Sequence, residues 1–175
     1  MTFDNFVIRP ICSEDSSNYH LFVDQNKDRL TKYFPKTLNA NKDISSTTAH
    51  IVERLRLSEK KEFFTFIILD NLSDKIVGTV FIKDLDWTIP KGELGFFIDK
   101  AYEGKGIITN AVAIISNHCF LSMGLNKIFM RIAEDNVSSR RVAEKNEFKI
   151  EGVLRKDFKT AEGKLIDVVY YGLIQ

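Results

Sequence analysis

The stretch Gly92–Ala113, G-E-L-G-F-F-I-D-K-A-Y-E-G-K-G-I-I-T-N-A-V-A, decides how the rest of the chain is read. It predicts a strand over Glu93–Ile98, a short turn over Asp99–Tyr102 and a glycine-bracketed loop over Glu103–Gly106. A helix opens directly after the loop. Gly104 and Gly106 lack a Cβ, so the backbone there can curl through positive φ and let a ligand approach closely. A helix beginning at such a loop aims several unpaired N–H groups, and the positive end of its dipole, into it. Those parts make an anion site, most often one for phosphate or pyrophosphate. A G-x-G pair alone says little. Its place between a strand and a long apolar helix gives it weight.

Immediately upstream the sequence is dense in strand formers. Phe63–Leu69 is a buried strand, Asn71–Asp74 is turn chemistry, and Lys75–Asp86 is a second strand with Gly78 as a candidate bulge. Pro90-Lys91-Gly92 turns the chain into the Glu93–Ile98 strand, so the three form an antiparallel meander. Further back, Phe6–Ile11 is a strand, and Ser13-Glu14-Asp15 can cap a helix running to about Gln25. Asp28–Phe34 is a second helix, ended by Pro35. Ser45 or Ser46 caps a third, to about Lys61, with Ile51, Leu55 and Thr48 facing inward. Its Arg54, Arg56, Lys60 and Lys61 form either a basic binding patch or a solvated face, the commoner use of such charges.

Downstream the pattern changes. Gly106–Met123 is apolar nearly all round and stopped by Gly124, so it should be buried against the sheet. Lys127–Ile132 is a strand, and Asn136–Lys145 an amphipathic helix offering Val137, Val142 and Ala143 to the core. Phe148–Leu154 and Leu165–Ile174 are closing strands around a polar Lys156–Lys164 turn. Residues 1–175 read as one α/β domain with an antiparallel front and a βαβα core.

Composition narrows the function. With 175 residues, 44% hydrophobic and 28% charged, the chain suits a single well-buried core. A net charge of +1 gives no electrostatic case for nucleic acid or an anionic membrane. The longest apolar run, Phe63–Leu69, is far too short to span a bilayer, and M-T-F-D-N-F does not read as a secretory signal. Cys12 and Cys119 lie far apart, and His20, His50 and His118 share no ligand spacing with them, so neither a disulfide nor a metal is expected. These features point to a reduced, cytoplasmic protein.

The order of elements, with E-G-K-G-I leading the central helix, resembles the GNAT superfamily of acyl-CoA-dependent N-acetyltransferases. The resemblance runs over nearly the whole chain. V-I-R-P-I-C-S-E-D at residues 7–15, the central stretch, N-V-S-S-R-R-V-A-E-K-N-E-F from Asn136 and E-G-V-L-R from Glu151 are similar to the RimJ/RimL branch. That branch acetylates protein α-amino groups, ribosomal proteins being the familiar substrates, and lies close to spermidine acetyltransferases. The resemblance implies an α+β, three-layer fold with a mixed, mostly antiparallel sheet of six to seven strands flanked by helices. The sequence departs from the pattern in two places, the loop and the K-N-E-F turn. Glu103, Gly106 and Ile108 stand where the loop usually has Gln or Arg, Gly, and Gly or Ala; Glu147 stands where K-N-E-F would commonly hold a glycine.

The resemblance also implies acetyl-CoA as co-substrate. Its pyrophosphate would meet the backbone of Glu103, Gly104, Lys105, Gly106, Ile107 and Ile108. The pantetheine arm would lie where the Glu93–Ile98 strand splays from its neighbour, pairing with backbone around Phe97 and Ile98, beside Phe96. Asn136 would contact the pantetheine and Ser139 would lie near the sulfur, as proton donor or thiolate partner. The tyrosine many relatives carry seven residues after that Asn is replaced by Ala143. Ser138 or Ser139 could equally be a plain helix cap. Glu93 is the candidate base, acting through a water, or else it holds the incoming amine by charge. Phe34, Trp87 and one of Phe96 and Phe97 are candidates for the acceptor wall, with core packing the alternative for each. Arg140, Arg141 and Lys145 either reach the 3′-phosphate or are solvated.

Acetyl transfer needs a neutral amine. An α-amine with pKa near 8 is roughly a tenth neutral at pH 7, whereas a lysine-like amine at about 10.4 is neutral only in a few parts per ten thousand. This favours a protein N-terminus as acceptor, with a polyamine or other small amine as the rival and a non-catalytic CoA-binding module as the second rival. Cys119 in an apolar helix and Cys12 without a nearby base argue for direct attack with no acyl-enzyme. Oligomeric state is left open, a homodimer included.

Overall fold

The computed structural model describes Met1–Gln175 throughout. Eight strands form one sheet: β1 (Thr2–Phe3), β2 (Phe6–Pro10), β3 (Phe64–Asp70), β4 (Lys75–Asp86), β5 (Lys91–Ile98), β6 (Lys127–Ala133), β7 (Lys149–Lys159) and β8 (Leu165–Ile174). They lie in the order β1-β2-β3-β4-β5-β6-β8-β7. Every neighbouring pair is antiparallel except β5 with β6. All seven strands read from the sequence form. The eighth is β1, a two-residue strand that pairs Thr2 with Val7 and Phe3 with Phe6 and is too short to carry an alternation signal. The expected bulge near Gly78 is present, as the β3–β4 register slips between Ile68 and Leu69.

Six α-helices cover the sheet: α1 (Ser16–Gln25), α2 (Lys27–Tyr33), α3 (Pro35–Ala40), α4 (Ile44–Glu59), α5 (Ile107–Leu121) and α6 (Val137–Lys145). Tyr19 and Phe22 from α1, Leu30 from α2 and Ile51 from α4 pack with Ile67, Ile76 and Phe97 on one face. Ile107, Ala111, Ile115 and Ala143 pack with Ile68, Val80, Leu94 and Met130 on the other. The result is the expected three-layer α+β arrangement. No helix is long and apolar enough to cross a membrane.

Local chemistry explains several differences from the sequence reading. Pro35 does not only end α2; it opens α3 at the first helical position, where its missing N–H costs nothing. The cap of α4 is Asp43, whose carboxylate accepts from Ser46 N at 2.8 Å, rather than Ser45 or Ser46. Thr47 is buried and Thr48 exposed, one position off the expected inward face. The α5 helix is buried along one side only, with Leu121 at 79% exposure, and Val137 is exposed rather than part of the core.

The feature that makes a site is an interruption. Strands β5 and β6 pair only where Lys91, Gly92 and Glu93 meet Lys127, Ile128 and Phe129. Beyond Glu93 they diverge, leaving Leu94–Ile98 and Met130–Ala133 as facing walls of a gap.

Candidate active site

The register identifies the backbone groups that face this gap. Asp99 N–H donates to Val77 O at 2.8 Å. In an antiparallel ladder, hydrogen-bonded pairs alternate, so Phe97 and Gly95 direct their peptide groups at β4 while Phe96 and Ile98 direct theirs into the gap. Of the backbone groups expected to be open around Phe97 and Ile98, those facing the gap are therefore the groups of Phe96 and Ile98. The Ile98 carbonyl already accepts from Arg29 Nη1 at 2.9 Å, which leaves the Phe96 groups and the Ile98 N–H open.

At the far end of β5, a single 3-10 turn (Lys100–Tyr102) leads into the glycine loop. Gly104 and Gly106 take φ of 73° and 76°, and Gly106 is the N-cap of α5. The space each missing Cβ would fill is empty to 4 Å. No amide from Gly104 to Thr109 donates to another group of the protein, so the loop presents a row of unsatisfied donors at a helix N-terminus. Glu103 does not spoil it. Its carboxylate is turned onto the Arg29 guanidinium, which also donates to Asn26 Oδ1. Asn26 in turn fixes the turn, donating to Asp99 Oδ2 and accepting from Lys100 N.

Across the gap, β6 runs into Asn136, the N-cap of α6. Its Oδ1 accepts from Ser139 N at 3.2 Å and from Ser138 Oγ at 3.1 Å. The cap is thus an asparagine, neither serine. The Ser139 hydroxyl has no partner in the protein and, like Asn136, lines the cleft that widens from the gap. A strap crosses nearby: Tyr33 Oη and Lys32 Nζ, at the end of α2, both donate to Asp135 at 3.0 and 2.5 Å.

Glu93 stands where the two strands part, and it is 6% exposed. Its Oε2 accepts from Arg131 Nε at 2.9 Å and Arg131 Nη2 at 2.5 Å and forms an ion pair with Lys83 Nζ at 3.2 Å. Oε1 is left without a partner. Burial pushes the Glu93 carboxyl above the usual carboxylate range, and Arg131 and Lys83 pull against that shift. Arg131 also holds Asp84 at 2.9 Å and lies 3.5 Å from Asp157, tying β6 to β4, β5 and β7.

The cleft has a volume of about 640 Å³. Its acceptor side is aromatic: the Phe34 ring meets Phe97 at 5.2 Å and Phe81 at 6.3 Å, and Phe81 stacks on Phe63 at 5.5 Å. Phe81 can lie flat over β5 because Gly95 is opposite; a Cβ there would sit 2.4 Å from the ring. Phe96 faces the α5 side and Phe97 the α1 side, so the pair is split as strand geometry requires. Trp87 lies outside the cleft wall, its indole N–H donating to Lys61 O at 2.9 Å. Arg140 is occupied by Tyr171 Oη and Glu134 O. Cys119 is fully buried, which pushes its thiol up to about 12.

Three residues escaped the sequence reading: Arg29, Lys83 and Arg131. The only available signal was a lone cation in each of two otherwise apolar strands, V-F-I-K and F-M-R-I.

A family model described as Acetyltransferase (GNAT) domain matches residues 5–149. The chain belongs to the GNAT acetyltransferase family. This GNAT enzyme is 28% identical over 153 residues to YjcK of Bacillus subtilis (strain 168), named as a probable N-acetyltransferase, covering 87% of this chain and 84% of that one. Its fold is similar to the ribosomal-protein-S5-alanine acetyltransferase of Vibrio fischeri, with TM-score 0.93 at 24% identity over 99% of this chain and 95% of that chain. It is likewise similar to RimL, a ribosomal L7/L12 alpha-N-protein acetyltransferase solved in complex with coenzyme A, with TM-score 0.90 at 18% identity over 98% and 95%.

Proposed function

We propose that this GNAT enzyme transfers acetyl from acetyl-CoA to the α-amine of a protein N-terminus, of the ribosomal serine or alanine type, in the cytoplasm. One observation carries the reading. Where β5 and β6 part, the open Phe96 backbone, the partnerless Ser139 hydroxyl and the free Oε1 of Glu93 all border one cleft. The residues fit the co-substrate: the row of open amides from Gly104 to Thr109 suits a diphosphate, and the Phe96 and Ile98 groups suit the amides of a pantetheine arm. Asn136 keeps its Nδ2 free as a further donor.

Acetyl-CoA would supply an acetyl group activated as a thioester. The protein supplies the rest. The Phe96 and Ile98 N–H groups are donors for a carbonyl oxygen in the gap. Ser139 offers a hydroxyl that can hydrogen-bond, or give its proton to, a departing thiolate. Glu93, buried and with a raised carboxyl, accepts a proton from the amine through Oε1, directly or by a water, while Arg131 and Lys83 hold Oε2 in place. Lys32 and Tyr33, latched to Asp135, help to exclude water. No cysteine is needed.

The same cleft argues against a polyamine. Its carboxylates, Asp84, Glu93 and Asp157, are all engaged by Arg131 or Lys83. None is spare for a second or third ammonium. The test is acetyl-CoA turnover, corrected for hydrolysis, against peptides with N-terminal Ser or Ala and against spermidine. Turnover with the peptides supports the proposal. Turnover with spermidine alone would replace it, and tight CoA binding with turnover of neither would make the protein a binding module.

A further inference from the structure

Arg54, on α4, is the most unusual charge in the cleft. It is half-buried and has no carboxylate partner. Its guanidinium lies 3.7 Å over the Phe63 ring, and its Nε donates to His50 Nε2 at 3.3 Å. Both terminal nitrogens are left without a protein acceptor. Desolvation is costly for a cation, and here stacking on Phe63 offsets only part of it. Arginine stacked in this way presents a fixed fork to the solvent side, the geometry that takes a carboxylate or phosphate edge-on.

The surroundings select the same sign. Lys36 and Lys159, the other cleft cations outside the Glu93 cluster, also have no carboxylate partner, and every cleft carboxylate is already paired. His50 stays neutral beside Arg54, because burial and the guanidinium push its ring down to about 4. The uncompensated charge of the acceptor side is therefore positive. From Arg54 the aromatic path runs through Phe63 and Phe81 to Gly95, two residues from Glu93 along β5. Followed step by step that path is roughly 20 Å, at ~3.3 Å per strand residue and ~5 Å per ring or cross-strand step; the direct span is shorter, and an extended peptide covers it with a side chain on its second or third residue.

We infer that Arg54 is a specificity residue of the acceptor site, binding an anionic group carried close to the reacting amine: the carboxylate of an Asp or Glu at the second or third position of the acceptor peptide. The inference rests on the proposed transferase reading for its substrate, but not for its binding chemistry. A phosphate on a small amine would satisfy the same fork, so the experiment separates the two sources.

The ring of His50 reports the site directly. Proton–nitrogen spectra are recorded while Ser-Glu and Ser-Gln peptides, inorganic phosphate, phosphoethanolamine and ethanolamine are titrated into the whole protein. The expected result is a saturable His50 shift with Ser-Glu and none with Ser-Gln, lost in Arg54→Gln and weakened in Arg54→Lys, which keeps the charge without the fork. Correct folding of each variant is checked by the rest of the spectrum. In turnover, wild type should prefer Ser-Glu over Ser-Gln by about tenfold or more in kcat/KM, the size of one charge-assisted hydrogen bond. The ratio should fall to near one in Arg54→Gln. Equal His50 shifts with both peptides, or an undiminished shift in Arg54→Gln, overturns the inference. A response to phosphate and phosphoethanolamine but not to Ser-Glu overturns the peptide assignment. A Ser-Glu shift without turnover of any peptide upholds the anion site while defeating the transferase reading, so the two failures are distinct.

Discussion

Ser139 is the residue whose surroundings say most about its work. It sits in the first turn of α6, where serines normally cap, yet Asn136 performs that task and accepts the Ser139 N–H. Its hydroxyl is surplus to the fold. Ser139→Ala should therefore leave stability within about 0.5 kcal/mol. It should also leave the CoA dissociation constant within about twofold while kcat falls roughly 10²-fold, the low end of general acid contributions. Steady-state rates beside calorimetric titration with CoA decide it, and an unaltered kcat would remove Ser139 from the chemistry. His50 makes a prediction of a different kind. Its folded pKa, near 4, lies below the unfolded value near 6.5. Between those pH values the unfolded chain binds a proton that the folded chain refuses, so this contribution to stability is intact above about 6.5 and lost as pH falls toward 4. The full shift corresponds to at most about 3 kcal/mol, reduced by the solvent that still reaches the ring. Urea unfolding at pH 7 and pH 4.5 should show a smaller acid loss in His50→Gln than in wild type; parallel losses would rule out His50 as a source.

At the scale of elements, the glycine loop and α5 act as one unit. A β-branched residue at Gly106 would have to adopt φ of 76°, which costs about 1–2 kcal/mol beyond its ordinary conformations. Its side chain would also fill the empty space beside the open amides. Gly106→Val should weaken CoA binding by 10²-fold or more with a modest fall in melting temperature, read by calorimetry and thermal denaturation; retained affinity would move the anion site elsewhere. This unit was legible from the sequence because everything it needs is local: strand, turn, two glycines and an apolar helix within 22 residues. The strands were legible for the same reason, through alternation and turn residues. What was not legible is long-range. Arg131 reaches Glu93 across 38 residues of chain, and Arg29 reaches Glu103 across 74. Nothing in either local pattern names its partner. That the groups of Phe96, and not those of Phe97, face the gap belongs to the same class, since it depends on which pairs of the β4–β5 ladder are hydrogen-bonded. Trp87, for which acceptor contact and packing were both open, ties its loop to the end of α4 through its indole N–H on the carbonyl of Lys61, another link that no local pattern names.

For the whole molecule, the decisive fact is that an eight-stranded sheet is joined at its middle by three residue pairs. The front, β1 to β5, and the back, β6 to β8, are each continuous, and Arg131 with Glu93 bridges them at the point of parting. Amide hydrogen exchange should mirror this. Gly95 and Phe97 should be slow, Phe96 and Ile98 fast despite their central place, and saturating CoA should slow the latter pair; equal protection throughout β5 without ligand would contradict the assignment of open groups. Two raw strand margins thus lie at the heart of the protein rather than at its rim, and margins of that kind recruit foreign chains. A bound pantetheine would act as a surrogate strand, so the enzyme stored without nucleotide should clump on warming well before the same preparation kept with CoA.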